Sequence, residues 1–137
     1  MPKCYEAVLD TSSILFAVDR KVDIVDLTLQ AQVPVCRIII PAPVLQEIKF
    51  LAEKGKGSRA VKAAVALAVI NQMLEKWGKM ISIVDPGFSE GPVDDIVIEA
   101  ARAEGKILVT ADRKMRKRAR ELGVKVYLVA KASLRLR

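Results

Sequence analysis

Five short apolar runs, alternating with stretches of helical periodicity, constrain this chain more than any other feature. They fall at residues 5–9, 36–40, 80–84, 106–110 and 124–129. A strand with one wet face alternates polar and apolar residues. A nearly continuous apolar run of five or so belongs instead to a sheet covered on both faces, as parallel sheets are by their crossover helices. The intervening segments fit that role. Residues 12–18 and 22–29 read as short helices. A helix from about Pro43 or Val44 to Ala52 carries the stripe Val44, Leu45, Ile48 and Leu51. A long helix runs from Ser58, its predicted N-cap, to Glu75 or Trp77. Two more cover residues 93–103 and 113–122, closed by Gly105 and Gly123, and residues 133–137 read as a basic tail. The expected fold is α/β: a single domain, residues 1–137, in which a three-layer α/β/α sandwich surrounds a central parallel sheet of about five strands.

Ligands of open α/β sheets gather outside the carboxyl ends of the strands. Four carboxylates are expected at that edge. Asp10 ends the first strand, Glu47 lies in the helix after the second, Asp94 opens the helix after the third, and Asp112 follows the fourth. Each alone reads as a helix cap or a solvated side chain. Together they repel, raising one another's proton affinity unless a cation neutralises them. Hard oxygen donors favour Mg2+ or Mn2+. Asp95 competes with Asp94 for the third position. Val97 and Ala101 follow Asp94 at helical spacing and Ile98, Glu99 and Arg102 follow Asp95, so Asp94 is assigned to the cluster and Asp95 to a supporting place.

Charge adds a partner. The chain carries a net +7, yet residues 1–100 hold 11 basic and 13 acidic side chains, whereas residues 101–137 hold 12 basic and 3 acidic. Within that quarter Arg113, Lys114, Arg116, Lys117, Arg118 and Arg120 share one helix with no acid among them, above an apolar stripe of Met115, Ala119 and Leu122. Such a face fits the phosphate backbone of RNA. Aromatics are few (Tyr5, Phe16, Phe50, Trp77, Phe88 and Tyr127), so base stacking is not expected to dominate recognition.

Other chemistry is excluded. There is no histidine, so no imidazole acid or base, and no Walker phosphate loop. The longest apolar run, residues 63–70, is too short to span a membrane. That run is apolar on nearly every helical face, so the helix is either buried on all sides or covered by a partner, the candidate being a homodimer in which a second copy of the chain meets Val65 and Val69. Cys4 and Cys36 lack zinc-site spacing and are expected to be small buried thiols of a reducing cytoplasm. A single asparagine, Asn71, points to a heat-adapted source.

The order of these elements resembles the PIN-domain nucleases over nearly the whole chain. Asp10-Thr11-Ser12 matches that family's Asp-Thr-Ser/Asn after a strand, and Pro41 to Glu47 its Pro-x-x-Leu-x-Glu context. Asp94 and Thr110-Ala111-Asp112 match its third and fourth elements, with the Asp94-Asp95 doublet a departure. The resemblance implies that Asp10, Glu47, Asp94 and Asp112 hold one or two divalent ions, with Thr11, Ser12 and Thr110 tuning them through their hydroxyls. It implies an endoribonuclease acting in ribosomal RNA processing. The alternatives are the toxin of a toxin–antitoxin pair and a catalytically weak RNA-binding assembly module. The corresponding partners are RNA, an antitoxin or a ribosome-assembly factor.

Overall fold

The computed structural model describes residues 3–87, 91–130 and 133–136; Phe88 and Arg137 lie outside them. In chain order the elements are β1 (Tyr5–Leu9), α1 (Thr11–Arg20), α2 (Ile24–Leu29), β2 (Val35–Pro41), α3 (Ala42–Lys54), α4 (Ser58–Lys76), β3 (Ile81–Val84), α5 (Val93–Ala100), β4 (Lys106–Thr110), α6 (Arg113–Glu121), β5 (Val126–Ala130) and β6 (Ser133–Leu136). The sheet order is β3-β2-β1-β4-β5-β6. Strands β1 to β5 pair in parallel, and β6 returns antiparallel to β5. The expected five-stranded parallel sheet is therefore present. The expected tail is a sixth strand instead, because Tyr127 to Ala130 leaves an open edge that Ser133 to Leu136 pairs with.

Burial explains why the three central runs are strands, whereas Ile83 and Val84 of the edge strand β3 stay exposed. Ala7, Val8, Leu9, Ile38, Ile40, Ile107, Leu108 and Val109 have no solvent exposure, whichever face of the sheet they point to. Helices supply the cover: α1, α3 and α4 pack on one another, while α5 packs on β1 and α6 on β4 and β5. Right-handed crossovers place these two groups on opposite faces, since β1 to β3 step one way across the sheet and β4 and β5 the other. The reversal occurs between β1 and β4. That is the topological switch point, where the crevice at the strand ends is widest.

Three local expectations are corrected. Ser58 is the first helical residue of α4, not its cap; Gly57 caps it with φ +64°, a conformation open to glycine, and makes no side-chain bond. Leu122 stands exposed, and Val124 takes its place in the core beside Met115 and Ala119. Helix α4 buries Ala63, Ala66, Ile70 and Met73, and its outward face keeps the apolar Val61 and Val65 at the surface. Finally, Cys4 and Cys36 form a disulfide, and Cys36 lies at the surface. Parallel pairing of β1 with β2 puts their Cα atoms 5.6 Å apart, within bridging range. No helix among the described residues is long and apolar enough to cross a membrane.

Candidate active site

Asp10 is the N-cap of α1, and its position at the end of β1 buries it almost completely. The Ser13 amide donates to its Oδ1 at 2.8 Å, and the Thr110 hydroxyl donates to its Oδ2 at 2.5 Å from the end of β4. Ser12 Oγ reaches both carboxylate oxygens, at 3.0 and 2.9 Å. Burial nevertheless outweighs these donors and pushes the Asp10 carboxyl up to about 6 from 3.8; the bonds from Thr110, Ser13 and Ser12 limit the rise. A second set of bonds locks the two strand ends together. Ser12 Oγ and Thr110 Oγ1 lie 3.1 Å apart, the Ala111 amide donates to Ser12 Oγ at 3.0 Å, and the Asp112 amide donates to Thr110 Oγ1 at 3.0 Å. These contacts lie across the switch point itself.

The other carboxylates approach from the flanking elements. Asp112 caps α6, its Oδ1 accepting from the amides of Lys114 at 2.8 Å and Met115 at 3.3 Å, and it remains exposed. Glu47, half-buried in the second turn of α3, and the exposed Asp94 at the start of α5 come from helices that touch although they cover opposite faces of the sheet. Asp94 is held above the usual carboxylate range, first by partial desolvation, then by the negative charges of Glu47 and Asp112, against the opposing pull of Arg118. The structure thus brings Glu47, Asp94 and Asp112 into one electrostatic neighbourhood, with Asp10 in the crevice. Among the described residues, no three acidic side chains are drawn tightly enough together to form a finished metal cage.

Asp95 takes a different part. It forms an ion pair with Arg118 of α6, tying α5 to α6 beside the acidic rim. Arg118, expected to bind phosphate with its neighbours on α6, is paired with Asp95 in this structure. Arg113, Lys114, Lys117 and Arg120 stand exposed on α6, and Arg116 is half-buried beside them. Thr11, expected to act through its hydroxyl, has a buried Oγ1 with no hydrogen-bond partner among the described residues.

One residue and one pairing were not singled out in the sequence. Ser13, fully buried, supplies the amide that Asp10 accepts from and donates its own Oγ to the Asp10 carbonyl at 2.8 Å. An aspartate N-cap already implies a donor three residues on, so this one was open to inference. The Asp95–Arg118 pair carried no sequence signal, since it depends on where the sheet sets two helices.

A family model described as a PIN like domain matches residues 7–131. Ribonuclease VapC9 of Archaeoglobus fulgidus is 29% identical over 120 residues, covering 88% of this chain and 79% of that protein. The structure of the PIN domain endonuclease Utp24 superposes with a TM-score of 0.72 at 18% identity, over 98% of this chain and 92% of that one. A domain of a functionally unknown protein from Methanocaldococcus jannaschii gives 0.67 at 17% identity, over 98% and 97%. VapBC2 from Rickettsia felis, solved with a DNA fragment from its promoter, gives 0.55 at 20% identity, over 82% and 92%.

Proposed function

The chain belongs to the PIN like domain family, and from that membership we propose that it is a divalent-metal-dependent endoribonuclease. The observation that carries the reading is the crowding of negative charge at Asp94 by Glu47 and Asp112, above a buried Asp10 that also holds its proton unusually well. Such a rim calls for a cation. The donors are all hard oxygens, which suits Mg2+ or Mn2+. Mg2+ keeps several waters and uses one or two carboxylates together with substrate phosphates, so a site without a finished cage suits it.

Asp10, Glu47, Asp94 and Asp112 would hold the ion. Bound there, it supplies Lewis acidity towards the attacking water and the phosphoryl oxygens. The chain's own side chains do the rest. Ser12, Ser13 and Thr110 fix the rotamer of Asp10, so both of its oxygens keep one orientation. The Asp95–Arg118 pair keeps α5 against α6, and the basic face of α6 takes the phosphates of the strand on either side of the scissile bond. No imidazole is required, in keeping with a chain that has none.

The test is cleavage of end-labelled RNA by wild type and Asp10→Asn, with Mn2+, Mg2+ or chelator. We expect metal-dependent cleavage that falls by more than about a hundredfold in Asp10→Asn while RNA affinity stays within about twofold. Undetectable cleavage by the wild type, with RNA binding intact, would favour the assembly-module reading instead. Similarity to Ribonuclease VapC9 favours a toxin-type role over ribosomal RNA processing. Growth arrest on expression, relieved by a small protein encoded beside it, is the expected outcome for that role.

A further inference from the structure

Phe50 is 62% exposed, more than any other large hydrophobic side chain on α3 and more than any other aromatic whose burial is described. Packing does not require it there, because Val44 and Ile48 carry the buried face of α3. Its position is informative. Phe50 lies three residues beyond Glu47, and residues three apart on a helix share a face with their Cβ atoms about 5–6 Å apart. The ring is thus a direct neighbour of one of the four carboxylates. Lys49 and Lys54 stand exposed beside it on α3, and Lys56 and Arg59 follow, also exposed, through the turn into α4. From residue 48 to 59 the only acid is Glu53, and among the described residues none of the four cations is in an ion pair.

An exposed ring ringed by cations has the two components of a single-strand site: a flat face for a base and positive charge for its phosphates. We propose that Phe50 is a base-stacking platform for an unpaired nucleotide next to the scissile phosphate, with Lys49 and Lys54 on the flanking phosphates. The proposal rests on the ribonuclease reading and adds to it one ring that would hold an unpaired base. A base inside a duplex has both faces covered by its neighbours and offers none to a side chain; a splayed base offers one. The strand would then run from the basic face of α6, over the acidic rim, onto α3. Stacking need not dominate recognition for this: a single ring suffices when it stands beside the reacting phosphate.

The experiment measures binding in chelator, where no cleavage occurs, of a single-stranded oligoribonucleotide and of the same sequence as a duplex. Wild type, Phe50→Ala and Phe50→Tyr are compared, with the mass of each in solution. We expect Phe50→Ala to weaken single-strand binding about tenfold, within the range for one stacked base, Phe50→Tyr to retain it, and duplex binding to be equal for all three. With Mn2+ added, Phe50→Ala should raise KM for single-stranded RNA far more than it lowers kcat. Equal single-strand affinity for wild type and Phe50→Ala would overturn the proposal and leave the ribonuclease reading intact. A dimeric wild type made monomeric by Phe50→Ala would overturn it too, assigning the ring to a second copy of the chain. Failure of the wild type to bind any RNA would remove the ribonuclease reading and this proposal with it.

Discussion

Asp10 shows how one residue carries both structure and chemistry. Its carboxyl caps α1, bridges to β4 through Thr110, and is raised to about 6 by burial. Between about 4 and 6 the folded chain therefore binds a proton that the unfolded chain has released, so metal-free stability is present below that window and declines as pH rises through it. The melting temperature in chelator should fall from pH 4 to 6.5, and Asp10→Asn should remove most of that fall. A shift of two units corresponds to about 3 kcal/mol. The exposed Asp19–Lys62 pair acts in the opposite sense, and comparing the two proteins at each pH cancels it. Equal slopes for both proteins would contradict the assignment. Added Mn2+ should flatten the wild-type slope, since a cation replaces the proton. That Asp10 ends a strand was plain from the chain, because an apolar run stops at it. Its partner Thr110, 100 residues away, became a neighbour only through the sheet order.

At the scale of elements, the facing helices divide the work. Helix α6 buries Met115 and Ala119 and turns its cations outward. Lys114→Ala and Lys117→Ala should each weaken RNA binding across sequences and lower the salt dependence of log K by about 0.7, the value for one phosphate contact on a single strand. Arg118→Ala should change that slope less, since Arg118 is already paired with Asp95. A slope change as large as that of Lys117→Ala would mean that the pair opens when RNA arrives. Helix α4 poses a separate question. Val65, 45% exposed, sits beside the half-buried Val69. If this face meets a second copy, Val65→Lys should convert a dimer to a monomer by light scattering; a wild type that is already monomeric excludes it. Amphipathic helices with one clear stripe, such as α3, were legible from periodicity. The inward face of α4 was not, because its small alanines leave no contrast between faces.

The whole molecule is closed by a bond that spacing alone did not reveal. Cys4 and Cys36 are 32 residues apart, and nothing in that number pairs them. Only the parallel register of β1 against β2 does so. Closing a loop of that length removes denatured-state entropy equivalent to about 3–4 kcal/mol. Cys4→Ser, or reduction of the wild type, should therefore lower the melting temperature, and the same reductant should leave Cys4→Ser unchanged. The bridge ties the ends of β1 and β2 remote from Asp10, so RNA cleavage at moderate temperature should survive its loss. The general architecture was legible for the opposite reason. A run apolar on both faces has few homes, and five of them alternating with helices have essentially one.

The position of the crevice between β1 and β4 has a consequence for synthesis. The hydroxyl network that orients Asp10 joins Ser12 to Thr110 across 98 residues. A chain still being made can finish β1, β2 and β3 and pack α3 on α4 while Asp10 lacks its Thr110 donor and Asp112 has not arrived. Contacts that distant in sequence form late. For the ribonuclease proposed above, a growing chain would therefore be harmless to the transcript that encodes it and to the ribosome that holds it until β4 pairs with β1 and completes the hydroxyl network around Asp10.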